Sequence, residues 1–516
     1  MFSKIKPSHE IWGIILTLLI FTLVRLFINV QIELAPDEAY YWYWGKHLDF
    51  GYADHPPMVA YVMAIFTAIG GNTEFFVRLG GLLLSMGALF IMFHTSRTLF
   101  PANHGHESQN KLWGKNVAWE LLFIFNITLL FSAGCIVQTP DQPMLFFWTA
   151  AVFLGSLIIT KGSPKYWYLW GVFLGLGLLS KYTMILIVPC FFLFFLISPE
   201  HRFWLKKKEP YIALLIAFLV FSPVLYWNWQ HQWVSFLYQL HQGLDPKRRD
   251  VVQIILKLLE YAGGQAGIVT PLLFIAFVIY AFKGTIVSLR ENRKEYLYLV
   301  LLSLPILLFF GLSTALGKVA EANWPAPAYV AGGLMMVHIF HEYFINKKVH
   351  RLFIASGIVL ALLINIIVHI HFLVPFLPIS PKLDPFQQFH GWRALGANIN
   401  KYVEENPYQD GYFILGDKGT TVAEAVFYTQ NRFIGIDFDQ PQRYIFLNDV
   451  EYLRGKNAII VMHNPDEKAF KRYNKYFQSV EKVGAHDCIF RNEKIDWLSV
   501  QLGVGKDYRG NWVPFH

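Results

Sequence analysis

The sequence predicts a mostly α-helical, polytopic membrane protein followed by a soluble α/β domain. Three observations carry this. Of 516 residues, 54% are hydrophobic and only 16% charged, which is more apolar and less charged than a soluble chain of this size. The apolar residues come in runs of membrane-spanning length. After Pro375 the composition turns polar and mixed, with short β-type and helical patterns.

The first run, residues 11–30, follows Lys4 and Lys6. It is too long for a signal-peptide core and has no small-residue cleavage site, so it reads as an uncleaved span with its N-terminus inside. Further spans fall near 76–99, 117–137, 143–160, 211–228, 266–282, 296–312, 327–344 and 352–375. The run 167–197 is interrupted by Ser180-Lys181-Tyr182. Lys161 and Lys165 precede it, and Arg202, Lys206, Lys207 and Lys208 follow it, so both flanks read as inner loops. Such a run crosses twice, as two short helices meeting near Lys181. The expectation is about eleven spans with the C-terminus outside. Lys247-Arg248-Arg249, on an outer loop, is the one exception to this charge bias.

Residues 376–516 make a soluble α/β domain of ordinary size. Tyr412 to Leu415 and Ala458 to Met462 read as strands, and Gly391 to Tyr402 and Asp466 to Tyr476 as helices. The division is thus 1–375 for the membrane part and 376–516 for the soluble part. The net charge of +8 does not imply nucleic acid, because the basic residues sit in short loops that set orientation. Cys135 and Cys190 lie in apolar segments and Cys488 stands alone, so no disulfide framework is expected.

Four segments could carry chemistry. The first outer loop, roughly 31–75, joins Asp37 and Glu38 to Tyr40, Tyr41, Trp42, Tyr43 and Trp44, with His55-Pro56-Pro57 downstream. It can form interfacial helices; equally, the acids can cap a helix and the aromatics form a belt. Asp141, just after Pro140, is a second outer acid that can also act as a cap. Lys181 lies within a long apolar run, where a lysine is costly unless it faces a cavity or snorkels. The loop 317–327 offers Lys318, Glu321, Asn323 and Trp324, or a plain interfacial turn. Together these put carboxylates and lysines on one face beside aromatic surface, which suits a phosphorylated amphiphile.

PDEAYYWYW with DHPP, then TPD before a span, GLGLLSKYT, and EANWPAPAY, in that order across residues 10–375, resemble the bacterial branch of the GT-C membrane glycosyltransferases. That family includes protein O-mannosyltransferases and the 4-amino-4-deoxy-arabinose transferase acting on lipid A. The resemblance implies inverting transfer of a sugar from a polyprenyl-phosphate donor to a lipid A, lipopolysaccharide, other glycan or protein hydroxyl acceptor, at the outer face of a bacterial inner membrane. It makes Asp37 the catalytic base and Asp141 the second acid. Lys181 matches a basic position near the donor cavity, and we read it as a phosphate contact. The lipid A transferases carry a lysine before their Pro-Pro pair where this chain has His55, so His55 becomes a candidate for phosphate or metal. Lys318 and Arg248 are further phosphate candidates. Glu38, Tyr41, Trp42, Glu321, Asn323 and Trp324 would line the substrate.

No cofactor is assigned from the sequence. A divalent metal is left open through Glu38 with His55, or through His231 and His241, although their spacing is not that of tight ligands. The rival reading is a lipid-linked-sugar flippase or secondary transporter. Transporters place ionisable groups near the midplane in paired broken helices with internal repeats, whereas here the acids lie at the outer interface and one broken pair appears. A receptor using the soluble domain is a second rival, but the unusual residues lie in the membrane loops.

Overall fold

The computed structural model describes residues 9–101, 117–244, 248–317, 320–447, 450–463 and 467–512. Long apolar runs become helices because hydrocarbon offers the backbone no outside hydrogen-bond partner. Among the described residues, seven helices are long and apolar enough to cross a membrane: Trp12–Gln31, Glu74–Leu99, Asp141–Lys161, Glu209–Gln230, Pro271–Arg290, Lys294–Leu316 and Lys348–Leu373. An eighth is bent by 81° between Val117–Ile127 and Leu129–Cys135. The break falls at Thr128, whose backbone is extended and whose hydroxyl donates to the Phe125 carbonyl (3.0 Å).

The expected count of about eleven exceeds this because several apolar helices are short. Ala326–Ile339 and Lys165–Leu178 have 14 residues each, and the first is buried along almost its whole length. Protein, not lipid, surrounds it, so bilayer thickness does not set its length. One helix, Val251–Val269, is not marked by hydropathy. It starts at a capping box, with the Gln253 N–H donating to Asp250 (2.8 Å) and the Asp250 N–H to Gln253 (3.3 Å).

The run around Lys181 folds as two short helices. Lys165–Leu178 leads to an extended Lys181 (φ −157°, ψ 135°), a 3-10 turn Tyr182–Leu186 and the helix Ile187–Ile197. The glycines of this run serve close approach. A Cβ at Gly171 would lie 2.3 Å from the Ala213 carbonyl oxygen, and one at Gly175 would lie 2.6 Å from Val220. Helix Glu209–Gln230 therefore packs backbone-close against Lys165–Leu178.

The chain divides into two compact units. One comprises Met1–Phe27, Gly81–Ile136 and Pro140–His369; the other comprises Ile28–Gly80, Val137–Thr139 and Ile370–His516. The first unit is helical, with a core rich in large aromatics such as Trp148, Trp167, Trp170, Phe194 and Tyr298.

The second unit joins the first outer loop to the α/β domain. Its strands are β1 (Tyr412–Gly416), β2 (Gly435–Asp437), β3 (Asn457–His463), β4 (Phe477–His486), β5 (Ile489–Phe490), β6 (Glu493–Lys494) and β7 (Val500–Tyr508). The main sheet runs β2-β1-β3-β7-β4, while β5 and β6 pair separately. β1 is parallel to β2 and β3; β7 is antiparallel to β3 and β4. Helix Gly419–Tyr428 makes the crossover from β1 to β2. The expected strands and the Gly391–Tyr402 helix appear, the latter as Trp392–Glu405. Asp466 lies outside the described residues.

The loop aromatics are core rather than belt. In helix Pro36–Lys46, Tyr40, Trp42, Tyr43 and Trp44 are fully buried and share one core with the sheet and helix Gly419–Tyr428. Trp42 meets Phe427 edge-on at 4.9 Å. The Tyr43 hydroxyl donates to the Gly435 carbonyl (3.2 Å) and accepts from the Gly435 N–H (3.0 Å). The second loop helix, Met58–Gly70, keeps Ile65 and Ile69 exposed, as an interfacial helix does.

Candidate active site

The candidate residues fall into two clusters, each within one unit. In the helical unit, Asp141 opens the helix Asp141–Lys161. Lys181 Nζ donates to Asp141 Oδ1 (2.6 Å), and Asn323 Nδ2 donates to Asp141 Oδ2 (2.8 Å). The side chains of Lys181 and Asp141 are only 10% and 13% exposed. Three residues singled out from three distant segments thus form one charged cluster at a helix break. Trp324 is half-buried against Phe310, with ring centroids 6.2 Å apart, while Glu321 and Arg248 are exposed. Lys318 lies outside the described residues. Arg249, next to Arg248, donates to the carbonyls of Thr314, Ala315 and Gly317, closing the end of helix Leu304–Leu316.

In the other unit, Asp37 and its neighbour Glu38 have different fates. Glu38 is fully buried and bonded through both oxygens. Oε1 accepts from Arg78 Nε (2.9 Å) and the Gln138 N–H (2.8 Å); Oε2 accepts from Arg78 Nη2 (2.7 Å) and the Ala35 N–H (2.9 Å). The capping expected of the acids is therefore done by Glu38, at the third position of its helix. Arg78 in turn donates to the carbonyls of Asn29, Ile32 and Glu33.

Asp37 has no hydrogen bond or ion pair among the described residues. Its side chain is exposed yet surrounded by protein on most sides. Those surroundings raise its pKa above the ordinary carboxylate value; the positive charges of Arg443 and Lys418 oppose the rise, and Glu38 adds to it. Arg443 is anchored by Asp54, with Nε 3.0 Å from Oδ2 and Nη2 on the same oxygen. Its guanidinium lies 4.6 Å from the Tyr40 ring centroid, and the Tyr40 hydroxyl donates to the Arg443 carbonyl (2.8 Å).

The structure places the remaining candidates as follows. Tyr41 is buried, its ring 6.0 Å from that of half-buried His55. Trp42 is fully buried and donates to Asn72 Oδ1 (3.2 Å), so its side chain belongs to the core. A metal on Glu38 and His55 does not fit, since four hydrogen bonds already engage the Glu38 oxygens. His231 stacks on Trp227 at 4.2 Å and bonds its carbonyl (2.7 Å). Among the described residues no group of three or more His, Cys, Asp or Glu is arranged to hold a metal.

Sequence reasoning passed over Arg78, Asp54, Lys418 and Arg443. Arg78 carried a signal: a lone arginine in an apolar run is costly and therefore partnered. Lys418 and Arg443 carried none, as charged residues are ordinary in a soluble domain.

In fold the chain is of the GT-C type. The backbone matches ArnT from Cupriavidus metallidurans over 96% of this chain and 98% of that one, with TM-score 0.62 and 14% identity in the apo state. The crystal structure of the same protein bound to undecaprenyl phosphate gives TM-score 0.61 and 12% identity. The family model for dolichyl-phosphate-mannose-protein mannosyltransferases matches residues 54–227. In sequence the chain is similar to the lipid A galacturonosyltransferase RgtD of Rhizobium johnstonii, 29% identical over 308 residues. That match spans 59% of this chain and 60% of the relative's length.

Proposed function

We propose that this protein is an inverting glycosyltransferase of the bacterial inner membrane, moving a sugar from a polyprenyl-phosphate donor to a lipid acceptor of the envelope. The observation that carries the reading is the state of Asp37. It is a carboxylate with no hydrogen-bond or ion-pair partner among the described residues, on a helix pinned beside it by a buried ion pair, with two cations nearby. The fold shared with ArnT and the similarity to a lipid A transferase support the same class.

Asp37 takes the proton from the acceptor hydroxyl as its oxygen attacks the anomeric carbon. The bond from that carbon to the phosphate oxygen breaks on the opposite face, so configuration inverts. The polyprenyl phosphate leaves as an anion and needs positive charge more than a proton. Lys181 supplies it. An ammonium has three donors, and Asp141 fixes the lysine through one of them. Asn323 steadies Asp141 from the other side. The raised pKa of Asp37 favours proton acceptance.

The test is Asp37→Asn, which keeps size and cannot take a proton. Removal of a general base lowers the rate by about 10²–10⁴-fold. The variant should accumulate in the membrane, bind the lipid donor, and transfer almost no sugar at matched protein levels. Near-normal turnover would falsify the base assignment.

A further inference from the structure

Residues 374–383 follow the spanning helix Lys348–Leu373 and form a closed loop rather than an open tether. The neck of the loop is built from buried groups. His371, in the last turn of the helix, accepts at Nδ1 from the Phe376 N–H (2.8 Å) and the Leu377 N–H (3.1 Å). Nε2 therefore carries the hydrogen and donates to Asp384 Oδ2 (2.8 Å). Both side chains are 0% exposed. Asp384 Oδ1 accepts from the Phe386 N–H (3.0 Å), and the Phe386 ring meets that of Phe372 at 4.5 Å. At the far side, the N–H groups of Leu383 and Asp384 both donate to the Ser380 carbonyl (2.8 and 3.1 Å) and turn the chain back. The two ends of the loop thus meet at the end of the helix, which is the plan of a compact Ω-loop.

The polar groups of this loop lie in its neck, and the apolar ones face out. Val374, Phe376, Ile379 and Leu383 are exposed, Leu383 by 78%. Arg491, in the turn between β5 and β6, donates to the Ile379 carbonyl (2.7 Å) and pairs with Asp384 (3.4 Å). It ties that hairpin, with its exposed Ile489, to the loop. A cluster of large exposed apolar side chains marks an interaction surface. Its position says what covers it. The spanning helix leaves the hydrocarbon at its last turn, and the His371–Asp384 bond returns the chain to that same turn. Leu383 therefore lies at the membrane surface, as Val374 does. Lys382 and Lys494 are paired with Asp496 (3.6 Å) and Asp487 (2.6 Å), so the apolar side chains carry the contact.

We propose that this loop is a membrane wedge. Phe376, Ile379 and Leu383, with Ile489 beside them, dip into the interfacial layer of the bilayer and give the sheet domain a second hold on the membrane besides the covalent one. The backbone stays at headgroup level, where water satisfies it. The side chains reach the acyl boundary, where binding grows with the apolar area buried. The buried His371–Asp384 pair has a task in this arrangement: it fixes the neck inside protein and keeps the apolar tip presented. The wedge holds whether or not the chain transfers sugar.

The experiment uses the full-length protein carrying Cys135→Ala, since Cys190 and Cys488 are buried. A bimane label is attached at Phe376→Cys, Ile379→Cys or Leu383→Cys, or at Tyr452→Cys as a control exposed elsewhere on the soluble domain. Each protein is reconstituted into phosphatidylcholine vesicles containing a lipid with a nitroxide near the top of its acyl chain. The lipid nitroxide should quench the three loop labels several-fold more than the Tyr452 label, and aqueous iodide should show the reverse order. Adding phosphatidylglycerol should leave both results unchanged. Iodide quenching of the loop labels at the level of the Tyr452 label would overturn the proposal, as would lipid quenching that appears only with phosphatidylglycerol. Protection of the loop labels that is lost on dilution to one copy per vesicle would assign the surface to a second copy of the chain and overturn it as well.

Discussion

Replacing Arg78 with methionine tests how the helix bearing Asp37 is held. Arg78 and Glu38 are both 0% exposed and meet at 2.7 Å. Truncating the arginine leaves a buried carboxylate with only the Ala35 and Gln138 N–H groups. It also deprives the carbonyls of Asn29, Ile32 and Glu33 of a donor. Removing one partner of a buried pair costs about 3–5 kcal/mol, and the three lost carbonyl contacts place Arg78→Met toward the top of that range. Replacing both charges with apolar groups is often neutral or stabilising, so Arg78→Met with Glu38→Leu should recover much of the loss. Recovery should stop short of complete, because five backbone groups bonded by the pair lack new partners. Thermal unfolding of the detergent-solubilised protein, followed by tryptophan fluorescence, reads all four corners of the cycle. Stability of Arg78→Met within error of the wild type, or additive losses in the double variant, would show that the pair does not hold the helix.

Glu424 gives a pH prediction. It is fully buried, neither oxygen has a hydrogen-bond partner among the described residues, and burial raises its pKa well above the ordinary value. The folded chain therefore keeps a proton that the unfolded chain has lost, so stability falls as pH rises past the ordinary glutamate value and until the folded value is reached. Glu424→Gln should raise the unfolding temperature at neutral pH and flatten that slope; an unchanged slope would place the titration elsewhere. Lys181→Met should weaken donor use by about 2–5 kcal/mol, the cost of truncating one partner of a buried charge pair. Unaltered donor kinetics would assign the lysine to holding Asp141 alone.

The sequence revealed those parts that depend on neighbours in the chain. Apolar runs marked the long helices, the Ser180-Lys181-Tyr182 interruption marked the broken one, and Pro375 marked the change to a soluble domain. The cluster of Asp141, Lys181 and Asn323 came from treating unusual residues in three loops as one chemistry. The fate of the aromatic run was not legible. Tyr40 to Trp44 have the composition of a membrane belt, and only contacts with residues some 400 positions away make them core. For the same reason, adjacent Asp37 and Glu38 looked equivalent until Arg78 was seen to take one of them.

The helix that carries Asp37 has a consequence for biosynthesis. It leaves the ribosome early, yet the surfaces that bury Tyr40, Trp42 and Tyr43 lie in residues made near the end of synthesis. Contacts so distant in sequence form late. An incomplete chain lacks Lys418, Arg443 and the sheet that shares a core with the helix bearing Asp37. The surroundings of Asp37 are thus incomplete until the end of synthesis.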